Sequence, residues 1–313
     1  MNMQLFRVIR PSNVSSATRT KCKTLMLLTT MTVLAALPIS VGLSAQQSPG
    51  DLRHAEEFTQ IDVPGASFTA ALAISPRGDI VGTYADSNGN LHGFLLSKGE
   101  FTTIDVPAAT DTIPFGINPQ GEIVGEYFDS SGIGHGFLLS NGTFTTIDVP
   151  GATSTIAFWI KPQGDIVGTY LDSSGNSNGF LLSNGTFTTI DVPGAVETAV
   201  ESINPQGDIV GAYRDSSDNV HGFLLSKGEF TTIDVPGSVR TQAFNINPRG
   251  DIVGDYDDSS GNTHGFLLSK SKFTTIDVPG AVLTEANGIN PQGDIVGDYT
   301  DSSGNTHGYL LSK

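Results

Sequence analysis

A repeat of 43 residues constrains the fold of this chain more than any other feature of its sequence. Each unit carries a Phe-Thr-Thr-Ile-Asp-Val-Pro-like segment, a Gly-Ile-Asn-Pro-Gln-Gly-Asp-Ile-Val-Gly-like segment and a Gly-Phe-Leu-Leu-Ser run. The Phe that opens the first segment recurs at a constant interval, at Phe58, Phe101, Phe144, Phe187, Phe230 and Phe273. A unit of this size buries little surface alone, so we expect the six units to stack on one another.

Each unit contains four strand patterns separated by turn sequences. In the second unit, the strands are predicted at residues 101–106, 112–118, 122–127 and 135–140. Asn118-Pro119-Gln120-Gly121 is a β-turn sequence, and Asn141-Gly142 is a typical two-residue hairpin turn. Such short connections join antiparallel neighbours. Four-stranded units at this spacing predict an all-β, six-bladed β-propeller. A β-solenoid is the alternative, although its coils usually have shorter periods.

The order of the strands within a blade follows from the connections. The longest and most variable connection comes after the Ile-Asp-Val strand, so we expect it to cross between blades. The next strand, which is rich in small residues, would then line the axis. The chain begins with an outermost-type strand and ends after a third-type strand. We therefore predict that residues 58–63 pair with residues 308–312, closing a ring that spans residues 58–313.

The N-terminal 45 residues differ in kind from the repeats. They hold no acidic residue, and an apolar run from Leu25 to Leu43 follows five basic residues, Arg7, Arg10, Arg19, Lys21 and Lys23. This layout predicts a signal peptide over residues 1–45, with an uncleaved anchor as the alternative. Residues 46–57 would form a linker. We expect a secreted, extracellular or periplasmic protein without disulfides, because Cys22 is the single cysteine.

The charge of the mature part limits its partners. Residues 46–313 contain 11 Lys and Arg residues against 32 Asp and Glu residues, a net charge of −21. Nucleic acids and anionic membranes bind basic surfaces, so we expect no nucleic-acid partner and no membrane contact unless the N-terminal segment is retained. The expected partner is an extracellular glycan or protein, and the expected state is a monomer.

The repeated motif resembles the HAF-type bacterial extracellular repeat, which is named for a His-Ala-Phe sequence. The corresponding tripeptides begin at His92, His135, His221 and His264, with Gly in place of Ala. One unit has Asn178 for His, and the last unit has Tyr309 for Phe. The resemblance covers residues 58–313. It implies an exported repeat protein and brings no activity with it.

Histidine and aspartate recur at positions that a two-residue hairpin places opposite one another. The predicted pairs are His92 with Asp105, His135 with Asp148, His221 with Asp234, His264 with Asp277 and, across the ring closure, His307 with Asp62. A catalytic dyad or a metal pair is one interpretation. We favour a structural cross-strand contact, because the pair recurs in five blades without a nucleophile or a second base.

The Asp-Ser-Ser-Gly-Asn turns have two interpretations, a calcium site or a purely structural turn. They could hold Ca²⁺, which prefers several oxygen ligands, but each supplies one or two carboxylates without an EF-hand spacing. An Asx turn explains the same sequence. We therefore predict no metal and no cofactor, with Ca²⁺ as the alternative.

Residues that differ between units are the candidates for a ligand site, because scaffold positions must repeat. Variation concentrates at two positions of the innermost strand, which we expect at one rim of the channel. The candidates chosen from this strand are Phe115, Phe158, Trp159, Arg240 and Phe244. Drift between duplicated units, with the Phe residues packing between blades, is the alternative.

No position combines the unique acid, base or metal ligands that an enzyme requires. We therefore expect a binding or surface scaffold that recognises carbohydrate or protein. An extracellular polysaccharide hydrolase with a site at the channel mouth is the alternative.

Overall fold

Residues 57–312 are described by a computed structural model, and they form six four-stranded antiparallel sheets arranged as a β-propeller. The predicted fold class is therefore confirmed. The predicted signal peptide and most of the predicted linker lie outside the described residues. Within residues 57–312, no helix is long and apolar enough to cross a membrane.

The blades are numbered in chain order, and each begins with the strand nearest the axis. Blade 1 contains β2 (Phe68–Ile74), β3 (Ile80–Ala85), β4 (Leu91–Ser97) and β5 (Glu100–Ile104). Blade 2 contains β6 (Asp111–Ile117), β7 (Ile123–Phe128), β8 (Gly134–Ser140) and β9 (Thr143–Ile147). Blade 3 contains β10 (Ser154–Ile160), β11 (Ile166–Leu171), β12 (Ser177–Ser183) and β13 (Thr186–Ile190).

The other three blades repeat this plan. Blade 4 contains β14 (Glu197–Ile203), β15 (Ile209–Arg214), β16 (Val220–Ser226) and β17 (Glu229–Ile233). Blade 5 contains β18 (Arg240–Ile246), β19 (Ile252–Asp257), β20 (Thr263–Ser269) and β21 (Lys272–Ile276). Blade 6 contains β22 (Leu283–Ile289), β23 (Ile295–Thr300), β24 (Thr306–Ser312) and the N-terminal strand β1 (Glu57–Ile61).

The ring closes as predicted, through strands from the two ends of the chain. Strand β1 pairs antiparallel with β24, from Glu57 opposite Ser312 to Ile61 opposite Gly308. The strand starts one residue earlier and ends two residues earlier than the predicted segment 58–63. Phe58 meets Tyr309 edge to face at 5.5 Å, which reproduces the Phe–Phe contact of the other blades. The closure therefore gives β24 a partner on both sides and reuses the packing of the repeat.

The predicted turns have the backbone geometry that their sequences require. In the Asn118 turn, the Gly121 amide donates to the Asn118 carbonyl oxygen at 3.0 Å, and Gly121 has a φ of 83°. Asn141 and Gly142 both have positive φ, 49° and 76°, as a type I′ hairpin turn requires. These turns fix the strand register, which in turn decides which side chains face the core.

Packing between and within blades depends on one large aromatic residue per repeat. The ring at this position is fully buried, as Phe94, Phe137, Phe180, Phe223, Phe266 and Tyr309. In blade 5, the ring of Phe266 lies over Gly254, where an added Cβ would be 2.9 Å from the ring and 1.9 Å from the Gln242 carbonyl oxygen. A glycine is therefore required beneath each buried ring.

The chain direction gives the propeller two distinct faces. The connections between blades and the turns between the second and third strands lie on one side, which we name the crossing face. The Asn118-type turns and the Asn141-type hairpins lie on the opposite side. All predicted His–Asp pairs belong to the crossing face.

Candidate functional site

The inner strand of each blade carries a β-bulge at the same place. The register of β10 with β11 shifts between Ala157 and Trp159, and the same shift occurs at the equivalent place in every blade. The bulged residues are Leu72, Phe115, Phe158, Glu201, Phe244 and Asn287. A β-bulge redirects a side chain away from the regular alternation of a strand. We refer to these six residues as the bulge ring.

Members of the bulge ring contact the neighbouring blade at two of the blade boundaries. The rings of Phe115 and Phe158 are 4.8 Å apart with an interplanar angle of 56°. Asn287 of blade 6 donates to the Ala71 carbonyl oxygen of blade 1 at 3.1 Å. Phe115 is buried, whereas Phe158, Glu201 and Phe244 are half-buried. The accessible part of the bulge ring is therefore a carboxyl group with a phenyl ring at the equivalent position on each side.

Glu201 is the one acidic residue in the bulge ring, and its carboxyl group makes no hydrogen bond or ion pair within residues 57–312. Burial, followed by the negative charge of Asp255, raises the pKa of Glu201 from 4.5 to about 8. The protonated form is therefore favoured relative to that of an exposed glutamate, and in that form the group can both donate and accept a hydrogen bond. Glu201 lies at a position that varies between the units, but the sequence does not show whether it has a structural role. The structure does, because its carboxyl group has no partner among the described residues.

Arg240, one of the predicted ligand-binding residues, is held by carboxylates of its own blade. Its Nε and one guanidinium nitrogen lie 2.7 Å from oxygens of Asp257 and Asp255, and it also bonds Gln242. Burial alone would lower the pKa of Arg240, but the adjacent Asp255 and Asp257 raise it well above its usual range. Asp255 is fully buried. Arg240 therefore has a structural role, because its charge neutralises the buried carboxylate of Asp255.

Trp159, another predicted ligand-binding residue, packs between blades. It contacts the hydrophobic cluster that includes Ile117 and Phe137 and also the cluster that includes Ile203 and Phe223. Its backbone lies close to Gly116, where an added Cβ would be 3.1 Å from the Trp159 Cα atom. Its size is therefore explained by packing against two neighbours.

The structure separates the two variable positions that the sequence was expected to bring to one rim. Arg240 is the first residue of β18, at the crossing face, whereas Phe244 lies four residues further along the same strand. Strand residues advance by about 3.3 Å each, so the two positions differ by roughly 13 Å in depth. Phe115 and Phe158 are in contact, and Phe244 occupies the equivalent position of its own inner strand. Arg240 lies at the start of that strand, away from all three.

All five predicted His–Asp pairs are present on the crossing face. The His Nδ1 atom lies 2.9–3.0 Å from its partner in the pairs His92–Asp105, His135–Asp148, His221–Asp234, His264–Asp277 and His307–Asp62. Each imidazole also packs against a Tyr ring at 5.2–5.3 Å. The pair joins the third and fourth strands of a blade at the point where the chain leaves for the next blade.

Each of these histidines also faces a second aspartate, which is not part of the predicted pair. The Nε2 atom lies 3.5–3.8 Å from a carboxylate oxygen of Asp86, Asp129, Asp215, Asp258 or Asp301, the first residue of the adjacent turn. Burial alone would lower the pKa of His264, but Asp277 and Asp258 raise it. We refer to one histidine with its two aspartates and its Tyr as a histidine set.

The turn aspartates form the Asx turns that the sequence predicts. Asp86 Oδ1 accepts hydrogen bonds from the amides of Asn88 and Asn90 at 2.8 and 2.9 Å. These bonds, led by that from Asn90, lower the pKa of Asp86 to about 2. Within residues 57–312, no group of three or more His, Cys, Asp or Glu side chains is placed around one metal position.

Blade 3 departs from the pattern because Asn178 replaces the histidine. Its amide nitrogen donates to the Asn176 carbonyl oxygen at 3.1 Å. Burial raises the pKa of Asp191, which occupies the position of the histidine-bound aspartate in the other blades. Blade 3 is therefore a natural variant that retains both aspartates without the imidazole.

The comparisons with known proteins identify the fold. No family model and no curated protein matches the chain. AofleA from Arthrobotrys oligospora is similar at a TM-score of 0.55 and 11% identity, over 82% of this chain and 86% of that chain. The Aleuria aurantia lectin in complex with Fucα1-6GlcNAc gives 0.52 and 12%, over 78% and 93%. TolB from Acinetobacter baumannii gives 0.50 and 17%, over 78% of this chain and 54% of that chain.

Proposed function

We propose that this chain is an exported, non-enzymatic scaffold that binds a neutral glycan at the bulge ring. Export is supported by the basic and apolar N-terminal pattern and by the resemblance to HAF-type repeats. The propeller supplies a rigid ring in which six inner strands present equivalent positions to one axis. Rigid elements hold binding residues more accurately than loops do, which favours the bulge ring over the variable loops as the ligand site.

The observation that carries this proposal is the environment of Glu201. Its carboxyl group has no hydrogen-bond partner within residues 57–312, and half-buried Phe158 and Phe244 occupy the equivalent positions on the adjacent inner strands. An unpaired polar group in a partly enclosed place costs free energy unless a ligand satisfies it. Aromatic surfaces and one directional polar group suit a pyranose ring, which has an apolar face and a rim of hydroxyl groups.

The fold neighbours support carbohydrate as the ligand class. One of them is a lectin whose structure contains Fucα1-6GlcNAc, although the identity of 12% makes this a likeness of fold alone. The proposed glycan specificity of this chain therefore rests on the bulge ring, and the lectin adds only that a propeller of this size can bind a sugar.

The hydrolase alternative requires a second carboxylate close to Glu201. Asp255 is the acid whose charge acts on Glu201, but it is fully buried and bound by Arg240 at 2.7 Å. A buried, ion-paired carboxylate is poorly placed to attack a sugar as a nucleophile. It is equally poorly placed to activate a water molecule as a general base. This arrangement favours binding without hydrolysis.

A glycan array tests the proposal directly. We expect the purified chain to bind neutral glycans, and we expect Phe158→Ala and Phe244→Ala to weaken that binding at least tenfold. Phe144→Ala is the matched control, because Phe144 is a half-buried ring on the outer strand of blade 2. Absence of binding to every glycan, or equal binding by all three variants, would contradict the proposal. Release of shortened oligosaccharide from a bound glycan would favour the hydrolase.

A further inference from the structure

The histidine sets contain two hydrogen-bond acceptors that face each other whenever the imidazole is neutral. When the imidazole donates its Nδ1 proton to one aspartate, the neutral ring presents a lone pair at Nε2. That atom faces the carboxylate oxygen of the turn aspartate at 3.5 Å in His221 and His264 and at up to 3.8 Å in His135. Two acceptors that face each other at this distance repel unless a proton, a water molecule or a metal ion lies between them.

The separation is longer than a direct hydrogen bond and lies nearer the distance between two ligands of one metal ion. A hydrogen bond between nitrogen and oxygen spans about 2.7–3.2 Å. Zinc binds imidazole nitrogen at about 2.0–2.1 Å and carboxylate oxygen at about 2.0–2.2 Å, which places two tetrahedral ligands roughly 3.4 Å apart. The observed separation is 3.5 Å in blades 4 and 5, about 0.1 Å above that value, and 3.6–3.8 Å in blades 1, 2 and 6, where the two ligands would have to approach by about 0.2–0.4 Å.

The surrounding contacts also match those of a metal-binding histidine. Such a histidine usually donates its other ring N–H to a carboxylate, which fixes the tautomer and the ring orientation. In blade 5, Asp277 accepts from His264 Nδ1 at 2.9 Å, while Tyr256 packs against the ring at 5.2 Å. The opposite ligand, Asp258, is fixed by backbone amides at Oδ1 and by Asn262 at Oδ2. Both prospective ligands are therefore oriented before an ion arrives.

We propose that each histidine set binds one divalent transition-metal ion of the zinc class between His Nε2 and the turn aspartate. The described residues supply two ligands per ion, so water or a hydroxyl group of an external molecule completes the coordination. The ligand types select this class, because imidazole nitrogen suits Zn²⁺, Ni²⁺ and Cu²⁺, whereas Ca²⁺ prefers oxygen ligands alone. The proposal is independent of the glycan site, since the sets lie on the crossing face.

The repeat provides its own stoichiometric control. Five blades carry the full set, and blade 3 retains Asp172 and Asp191 around Asn178. We therefore expect five ions per chain in the natural sequence. His264→Asn, which copies blade 3, should leave four, and Asn178→His should give six. Asp258→Asn should also leave four, because it removes a ligand while the bond between His264 and Asp277 remains.

The test is equilibrium dialysis of the purified chain against Zn²⁺ at pH 7.5, followed by atomic absorption. All variants carry Cys22→Ser, so that the single thiol does not contribute. Circular dichroism shows whether each variant is folded, and an imidazole NMR spectrum shows whether Zn²⁺ shifts Nε2. The series of five, four and six ions, with the Nε2 shift, supports the proposal. Zinc retention that is absent, or that is the same in all variants, overturns it and leaves a proton or a water molecule between the two acceptors.

Discussion

The clearest energetic consequence of the structure concerns Glu201. Burial and the charge of Asp255 raise its pKa to about 8, compared with 4.5 for an ordinary glutamate. The folded chain therefore holds this proton more tightly than the unfolded chain does between these two pH values. By linkage, the associated stability is fully present below pH 4.5 and is lost as the pH rises toward 8.

The size of the effect follows from the same two values. At about 1.4 kcal/mol for each pH unit, the interval from 4.5 to 8 gives an upper bound of about 5 kcal/mol. Glu201 keeps part of its surface exposed, and solvent screens its charge. We therefore expect a smaller change, about 1–3 kcal/mol. Glu201→Gln cannot titrate, so it should gain this amount relative to the natural chain between pH 5 and pH 9.

Urea unfolding at a series of pH values measures this difference, with the fluorescence of Trp159, the single tryptophan, as the signal. Groups common to both chains titrate alike, so the difference between their stability curves isolates Glu201. Glu229→Gln, at an exposed position that begins β17, serves as the control and should leave the curve unchanged. Parallel pH profiles for the natural chain and Glu201→Gln would refute the argument that this carboxyl group is buried and unpaired.

Three further perturbations test the fold. Arg240→Ala removes the guanidinium bound by fully buried Asp255 and should cost about 3–5 kcal/mol in urea unfolding, whereas Arg249→Ala, at a half-exposed pair, should cost at most about 1 kcal/mol. Deletion of residues 56–64 removes the strand that pairs with β24 and should produce aggregation on gel filtration; a soluble chain with one cooperative transition would contradict the closure. Gly254→Ala places a Cβ 1.9 Å from the Gln242 carbonyl oxygen and should lower the melting temperature by several degrees, and an unchanged melting temperature would contradict that contact.

Much of the fold could be predicted because the information is local and repeated six times. Asn141-Gly142 specifies a type I′ turn, and that turn fixes the register that brings His135 to Asp148. The ring closure followed from the phase of the repeat relative to the two ends of the chain. Each of these inferences depends on backbone conformations that a few residues determine.

The candidate site was harder to predict because it depends on contacts between blades. The bulge in the inner strand has no sequence signal that distinguishes it from regular pairing, so the depth of Phe244 relative to Arg240 was not foreseen. As the single tryptophan, Trp159 stands out in the sequence, but its contacts with two hydrophobic clusters explain its size. Two carboxylates of the same blade accept hydrogen bonds from Arg240. This contact depends on the register between β18 and β19, which the individual residues do not reveal.

The proposed function places the ligand at one position in the ring rather than at one site in each repeat. Isothermal titration of the purified chain with a glycan chosen from the array measures this directly, because Glu201 occurs once whereas the scaffold recurs six times. We predict one bound glycan per chain, and we predict that Glu201→Ala, which removes the unpaired carboxyl group, abolishes the heat of binding. A stoichiometry near six, or unchanged binding by Glu201→Ala, would contradict a single site at the bulge ring.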